Sequence, residues 1–431
     1  MMDIVIIRRE ARPSTDRRAE PSRRSRRSLR RAGPLVLVCA LSVATIMPVE
    51  DVRAAAEATP GACSPPVLAV PGTETPAAGA SPGAEPSDDA SPAASPATAI
   101  GGPDLSRGTW ARMANAQFGS EYEPVVWTGT RMVAVDSDTG RTAVYRPAQD
   151  RWREVAPAPR RFDATARDVW TGRELIILEV TADEAIVDGL AYRPGSDRWR
   201  KTARLRTDAD GETDHALVDA AWTGTHVVVV DSLGLVAAYD PTGDCWVELE
   251  RVPGEPWAWR LYAAGPWLLV ESRRRGEPVE MRALDPATGT WSEPSVGPLD
   301  RSASEGGGMW IDGRLVYVSW YGAMDDGGVP NAVFDPVTMS WSAFEHDCGT
   351  RASGSVQVES FIVASDGRRA LDGRTFACID LPAPPRRLNG TERMVWTGHE
   401  LIAWSGIKSL PEGPRRGGLV FRHPTMSTAA R

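Results

Sequence analysis

Hydrophobic residues in this chain occur in short runs separated by turn residues, and one phrase returns several times. A Trp is followed two or three residues later by a Gly and then by four apolar residues. The Trp and Gly positions are Trp127/Gly129, Trp170/Gly172, Trp222/Gly224, Trp310/Gly313 and Trp396/Gly398. Gly permits the positive φ of a tight turn, so each phrase predicts a β-hairpin. The unbroken apolar runs predict strands buried on both faces.

A second phrase occurs five times along the chain. It has a large apolar residue, a Pro two residues later and a Trp seven residues later. The apolar and Trp positions are Tyr145/Trp152, Tyr192/Trp199, Tyr239/Trp246, Leu284/Trp291 and Phe334/Trp341. We interpret this phrase as a third strand, a turn initiated by Pro and a fourth strand that carries a core Trp.

The number of repeats gives the architecture. Tyr262 occupies the Trp position of one further hairpin, and residues 355–378 supply a divergent unit with Cys378 in the Trp position. This makes seven units, spaced about 40 to 50 residues apart as propeller blades are. The last unit lacks a fourth strand, whereas Trp110 precedes the first unit. The sequence therefore predicts an all-β, seven-bladed β-propeller of four-stranded antiparallel blades over 105–431, closed by an N-terminal strand.

The paired motifs resemble those of kelch-repeat β-propellers, in which V-W-T-G is followed by Y-x-P and a Trp. The resemblance covers about three quarters of the chain. The double Gly that usually ends the second kelch strand is nearly absent from the stretches VDSDTG, LEVTAD and VDSLG. The resemblance therefore implies a divergent kelch-like, galactose-oxidase-central-domain-like propeller.

The N-terminus predicts export. A basic stretch at 22–33 precedes an apolar run at 35–47, and Ala54-Ala55-Ala56 offers a cleavage site. We interpret 1–56 as an export signal that is cleaved or retained as a membrane tether; the run is shorter than the roughly 20 residues of a spanning helix. Residues 57–104 are rich in Pro, Ala and Ser and predict a disordered linker. The expected location is secreted or envelope-associated.

The net charge argues against nucleic-acid binding, and the number of cysteines favours disulfides. The formal charge is −8, and 1–56 carry twelve Arg against six acidic residues, so the remainder is near −14 and unsuited to nucleic acid. Four cysteines follow the export signal, an even number that suits disulfides in an oxidising compartment. We predict either a Cys348–Cys378 bridge or a filler role for Cys378. Cys63 is free to join Cys245 or another chain.

No catalytic motif or metal site emerges from the sequence. The chain contains no G-x-S-x-G, P-loop or H-E-x-x-H motif. The copper site of galactose oxidase needs two His, two Tyr and a Tyr–Cys link, whereas His226, His399 and His423 fall in predicted surface turns. We therefore expect no metal and no cofactor.

Aromatic and charged residues outside the repeated phrases are the candidate ligand-binding residues. The longest loops between second and third strands, 319–331 and 404–418, share one face with an Arg run. The candidates are Trp257, Trp259, Arg273, Arg274, Arg275, Trp320, Tyr321, Asp325, Asp326 and Trp404. We expect a monomeric module that binds a protein or a glycan. The alternative is a carbohydrate-active lyase, epimerase or mutarotase, which acidic and Arg side chains converging at the propeller axis would favour.

Overall fold

The structure of the protein is a computed structural model. It describes residues 63, 104–116, 124–163, 165–181, 186–206, 217–254, 258–264, 266–274, 277–285, 287–299, 307–318, 331–346, 348, 355–388, 392–404 and 417–423. The expected export signal lies outside the described residues, as does the expected linker apart from Cys63 and Asp104. The described residues contain no helix with the length and apolar character that a membrane span requires.

The described strands form seven antiparallel sheets in a ring, so the predicted fold class is confirmed. Blade 1 consists of β2 (Val125–Trp127), β3 (Met132–Val135), β4 (Thr142–Arg146) and β5 (Arg151–Val155). Blade 2 consists of β6 (Arg167–Trp170), β7 (Leu175–Thr181), β8 (Ile186–Arg193), β9 (Arg198–Lys201) and β10 (Leu205–Arg206). Blade 3 consists of β11 (Leu217–Trp222), β12 (Val227–Asp231), β13 (Val236–Asp240) and β14 (Cys245–Leu249).

The remaining blades follow the same order. Blade 4 consists of β15 (Ala258–Ala264), β16 (Trp267–Arg273), β17 (Glu280–Ala283) and β18 (Ser295–Val296). Blade 5 consists of β19 (Met309–Ile311), β20 (Arg314–Tyr317), β21 (Asn331–Asp335) and β22 (Ser340–Phe344). Blade 6 consists of β23 (Ser355–Val358), β24 (Phe361–Ala364), β25 (Arg369–Asp372) and β26 (Cys378–Asp380). Blade 7 consists of β27 (Arg393–Trp396), β28 (Glu400–Trp404) and β29 (Gly418–Arg422), completed by β1 (Thr109–Arg112).

Ring closure follows the predicted scheme. The N-terminal strand β1 is the outermost strand of blade 7 and pairs antiparallel with β29, from Thr109 opposite Arg422 to Arg112 opposite Leu419. Short 3₁₀ turns at Leu105–Arg107 and Pro147–Gln149 are the only helical segments among the described residues. Closure leaves the ring without the exposed sheet edge that an unpaired β29 would present.

The repeated phrases have the predicted geometry. The glycines of the first hairpins all have positive φ, from 79° at Gly313 to 95° at Gly224. The apolar runs of the second strands are fully buried, as in β3 and β12. The seven larger hydrophobic clusters each join strands of two neighbouring blades, such as β6–β8 with β11–β13. The core is therefore divided among the blade interfaces.

The second phrase forms a polar contact between neighbouring blades. In blade 2 the Asp197 carboxylate accepts the Tyr192 hydroxyl at 2.8 Å and the backbone N–H of Ala156, from the end of blade 1, at 2.9 Å. The Trp199 indole N–H donates to the carbonyl of the same Ala156 at 2.8 Å. The backbone N–H and the backbone carbonyl of one residue of the preceding blade are thereby both hydrogen-bonded.

This contact, which we call the Tyr–Asp–Trp contact, recurs in two other blades. Its residues are Tyr145, Asp150 and Trp152 on Ala114, and Tyr239, Asp244 and Trp246 on Ala203. The three aspartates have left-handed backbones, with φ of 42° to 54°. In blades 4 and 5, Leu284 and Phe334 lack a hydroxyl, and the Asp position holds Gly289 and Met339. Tyr and Asp therefore occur together or not at all.

Two groups of residues differ from their predicted environments. The repeat tryptophans, expected in the core, are only partly buried, although their rings pack on the hydrophobic clusters. The indole N–H groups of Trp152, Trp199 and Trp246 donate to carbonyls of the preceding blade. His226 and His423, expected at the surface, are buried, at 5% and 3% exposure. The His226 ring lies in the turn but folds against Thr225, with Nδ1 2.9 Å from Oγ1.

Candidate functional site

The first strand of each blade lines the propeller axis. These strands pair on one side only, and the first strands of blades 6, 7, 1, 2, 3 and 4 contact one another in that order. The first strands run in the same direction along the axis, so the residues at their starts share one end of the central opening. The Gly-containing hairpin turns lie at the other end.

Five charged residues lie near the starts of these strands. We call them the axial cluster: Arg167 and Asp168 of β6, Asp219 of β11, Arg260 of β15 and Arg393 of β27. Positive and negative groups alternate along it, since Asp168 interacts with Arg393 and Arg167, and Asp219 with Arg260 and Arg167. The described first strands of blades 1, 5 and 6 contribute no charged side chain. Among the described first strands, the charged residues therefore lie on blades 7, 2, 3 and 4.

Two members of the axial cluster join neighbouring blades. The Arg167 guanidinium donates from Nε to the carbonyl of Val218 at 2.7 Å. The Asp219 carboxylate accepts the backbone N–H groups of Leu261, in the next blade, and Ala220, each at 2.9 Å. These two residues have backbone partners and hold the first strands of blades 2, 3 and 4 together.

The other three members have no such partners. Within the part of the chain that the structure describes, the guanidinium groups of Arg260 and Arg393 form neither a hydrogen bond nor an ion pair with other side chains. The Asp168 carboxylate forms a hydrogen bond with its own backbone N–H only, and it lies beside the charges of Arg393 and Arg167. Asp168 and Arg393 are exposed and Arg260 is half-buried. These three groups are therefore available to a ligand.

The Asp168 side chain is accessible to water, but the surrounding strands enclose its carboxyl group. Burial among the surrounding strands raises the pKa of Asp168 to about 6, against the attraction of Arg393 and Arg167. Burial also raises the pKa of Asp219, and the N–H groups of Leu261 and Ala220 oppose this shift. The raised pKa of Asp168 therefore lies closer to neutral pH than that of an ordinary aspartate.

We expect Asp168→Asn to stabilise the protein in a pH-dependent way. The pKa in the folded state, about 6, lies above the usual value of 3.8, so the folded state binds the proton more tightly. Ionisation of Asp168 therefore lowers stability as pH rises through this window, and the cost is complete above it. The variant should melt at a higher temperature than wild type at pH 8, with no difference at pH 3.5. Asp138→Asn, in an exposed loop, is the control and should change the melting temperature at neither pH.

A buried carboxylate supports Arg260 from behind. Glu271 is fully buried and lies opposite Arg260 in the β15–β16 pair. Its Oε2 accepts the hydroxyls of Tyr262 at 2.6 Å and Tyr317 at 2.9 Å, and its Oε1 accepts Arg273 Nε at 2.5 Å. Burial, followed by the charge of Glu271, raises the pKa of Tyr262 above its usual range. These hydroxyls therefore stay protonated and fix the wall beside Arg260.

The predicted site residues fall into three groups. Trp257, Arg275, Trp320, Tyr321, Asp325 and Asp326 lie outside the described residues. Arg273 and Arg274 lie at the end of the opening that carries the axial cluster, since Arg273 pairs with Ala258 at the start of β15. Arg273 binds Glu271, and Arg274 lies 3.6 Å from Glu277.

Two predicted site residues are core residues instead. Trp259 is 4% exposed and packs between blades 3 and 4, and Trp404 is 0% exposed and contacts Trp152. Both lie within strands, where alternate side chains point into a blade interface. Their burial corrects their assignment to a ligand-binding surface.

Sequence reasoning missed the axial cluster. Each member lies two or three residues before the aromatic residue of its first strand, as Asp168 does before Trp170 and Arg393 before Trp396. An alignment of the repeats with each other would have shown charge at these positions in four of seven units. The only group of potential metal ligands found among the described residues is His346, Cys348 and Cys378.

Ring, blade number and axial opening define the class: the protein is a seven-bladed β-propeller. No family model matches the sequence, and no curated protein matches it. Among solved structures, the one titled "Structure of U3-55K" is similar at 13% sequence identity with a TM-score of 0.48. The match covers 74% of this chain and 100% of that chain. A likeness at this level of identity concerns the fold alone.

Proposed function

We propose that the protein is an exported, kelch-like interaction module that binds a carboxylate-bearing loop or chain end of a partner protein in its axial opening. β-Propellers commonly serve as protein-interaction modules. The kelch assignment rests on the paired V-W-T-G and Y-x-P phrases. A glycan carrying carboxylates is the other ligand class that the same groups accommodate.

The availability of the Arg260 and Arg393 guanidinium groups carries this proposal. Guanidinium binds carboxylate through paired, charge-assisted hydrogen bonds. Asp168 lies between Arg393 and Arg260 in the alternating series of charges. When it is ionised, its carboxylate accepts hydrogen bonds from N–H groups of a ligand. The wall behind Arg260 is fixed by the Glu271 hydrogen bonds, so ligand binding there requires little ordering of the protein.

The closed ring restricts the shape of the ligand. All seven first strands surround the opening, and β1 completes blade 7 on its outer side. A broad surface of a partner protein therefore cannot reach the opening from the side. A loop tip or a chain end can enter along the axis. A peptide C-terminus supplies the carboxylate at its end, which suits this entry.

The cysteine pairing supports an extracytoplasmic location. The structure contains disulfides Cys63–Cys245 and Cys348–Cys378, with Cα–Cα distances of 6.1 and 5.4 Å. Disulfides persist in oxidising compartments. The basic and apolar segments within 1–56 have the order of an export signal. We therefore propose export, with Cys63 holding the end of the linker to blade 3.

Arg260→Ala and Arg393→Ala should each weaken ligand binding about tenfold to hundredfold, the scale of hydrogen bonds to charged groups. The probes are immobilised random heptapeptides with free or amidated C-termini, a set in which Asp and Glu are replaced, and uronate oligosaccharides. Fluorescence polarisation of the selected probe gives Kd. Arg173→Ala, in an exposed hairpin turn at the other end of the opening, is the control and should leave Kd unchanged.

The arms of this experiment separate the possible results. Selection of carboxylate-bearing peptides, lost with either axial variant, supports the proposal. Selection of uronates alone would show that the ligand is a glycan and would overturn the proposal of a protein partner. Binding that all three Arg→Ala variants retain would place the ligand elsewhere.

A carbohydrate-active enzyme is the second candidate, and Asp168 is the observation that favours it. A solvent-accessible carboxyl with a pKa of about 6 beside two arginines is suited to proton transfer to or from an acidic sugar. Incubation of uronate oligosaccharides with wild type and Asp168→Asn, followed by mass and NMR analysis, tests this candidate. Unchanged substrate with the wild type rules out turnover of that substrate class.

A further inference from the structure

A second cluster of chemically active side chains lies far from the axis, between blades 5 and 6. We propose that His346, Cys348 and Cys378 form a binding site for a thiophilic metal ion such as Zn²⁺ when the Cys348–Cys378 disulfide is reduced. The site is independent of the proposed ligand-binding function. In the oxidised protein the same sulfurs are joined and bind no metal.

The fold places the three ligand atoms together. His346 lies two residues after β22, and Cys378 begins β26, where it pairs with Leu371. One ring nitrogen of His346 and the two sulfurs all lie within 4.8 Å of one another. In a tetrahedral zinc site with bonds of about 2.3 Å to sulfur, two sulfurs are about 3.8 Å apart. After reduction, the two sulfurs must move apart to this distance to bind the metal. The backbones of Cys348 and Cys378 need not move for this.

The imidazole is already oriented for this role. Its Nε2 lies 3.1 Å from Asn331 Oδ1, and its Nδ1 accepts the backbone N–H of Cys348 at 3.1 Å. The amide oxygen accepts the Nε2 proton, so the Nδ1 lone pair faces the cysteine segment. Metal-bound histidines are typically held by such a second hydrogen bond. Metal binding replaces the Cys348 N–H at Nδ1.

The surroundings also favour thiolates. Cys348 is fully buried and Cys378 half-buried, so the pair is shielded from bulk solvent on one side. The Arg369 guanidinium donates to the Cys348 carbonyl at 2.5 Å and brings positive charge to the segment. Two thiolates and one imidazole are a ligand set that suits Zn²⁺.

The redox step balances with an external dithiol. The dithiol gives two electrons and two protons, closes its own disulfide and opens the Cys348–Cys378 bond to two thiols. Metal binding then releases the two thiol protons, because the ligands are thiolates. In the absence of the metal, an external disulfide accepts two electrons and two protons from the two thiols and restores the Cys348–Cys378 bond.

The test uses the full chain with Cys39→Ser, Cys63→Ser and Cys245→Ser, so that one cysteine pair remains. The protein is reduced with a dithiol, desalted without oxygen and titrated with Co²⁺, then with Zn²⁺ as competitor. We expect one Co²⁺ per chain, with thiolate charge-transfer absorption that Zn²⁺ removes. His346→Ala should weaken Zn²⁺ binding about tenfold or more. His399→Ala, in a hairpin turn of blade 7, should have no effect.

Melting curves test Zn²⁺ binding even if reduction destabilises the fold, because the reduced protein is compared with and without Zn²⁺. Zn²⁺ should raise the melting temperature of the reduced protein, and do so less for His346→Ala, without changing that of the oxidised protein. Equal Zn²⁺ affinity of wild type and His346→Ala would overturn the site. A reduced chain that stays unfolded with Zn²⁺, or binds none at micromolar concentration, would overturn it as well.

Discussion

Deletion of residues 104–113 from the full chain is expected to abolish cooperative folding of the propeller. The deletion removes β1, so β29 loses its outer partner and presents an unpaired edge. It also removes Leu105 and Met113, which are 1% and 5% exposed, and the Trp110 ring that packs on Phe421 at 5.1 Å. Each large core side chain contributes about 2 to 5 kcal/mol, and the whole fold has about 5 to 15 kcal/mol.

Circular dichroism melting and size-exclusion chromatography measure the result. The matched control deletes ten residues, 81–90, from the Pro- and Ser-rich segment and should melt like the wild type. The deletion of 104–113 should give no sharp transition, or oligomers joined through β29. A melting temperature equal to that of the control would contradict closure by β1.

The second large effect is expected at the Tyr–Asp–Trp contact of blade 2. Asp197→Ala should lower the free energy of unfolding by about 3 kcal/mol, since two donors lose their acceptor and Ala must adopt the φ of 54° at this position. The donors are the Tyr192 hydroxyl and the Ala156 N–H. Urea denaturation monitored by Trp fluorescence measures the change.

Two further variants resolve the origin of this effect. Asp197→Asn keeps an acceptor oxygen and a residue that tolerates positive φ, so it should cost much less than Asp197→Ala. Tyr192→Phe in the Asp197→Ala background removes the orphaned hydroxyl and should recover part of the loss. Equal costs for Asn and Ala would show that the hydrogen bonds contribute little at this position.

The blades were predictable because their cause is local. Each Gly of the first hairpin must adopt positive φ and each Pro opens a turn, so Gly172 or Pro194 marks an element without reference to the rest of the chain. Even the divergent sixth blade was predictable, since Cys378 keeps the seven-residue spacing from Leu371 and pairs with it.

The candidate site was less predictable because it depends on distant parts of the chain. Asp168 and Arg393 meet only when the ring closes, and neither resembles a motif in its own segment. Trp404 was assigned to the surface because it does not occupy one of the repeat Trp positions. Its strand alternation places the ring in the interface with blade 1, on Trp152. Sequence spacing does not record which blade a side chain meets across the ring.

Closure by β1 also has a consequence for the order of folding during synthesis. Thr109 leaves the ribosome long before Arg422, its partner, yet the two strands must pair. Contacts between such distant positions slow folding, because the intervening chain must first be ordered. Blades 1 to 6 can form as the chain grows, whereas blade 7 can be completed only after Arg422 has been synthesised. Among the described strands, β1 is therefore the first to be synthesised and one of the last to pair.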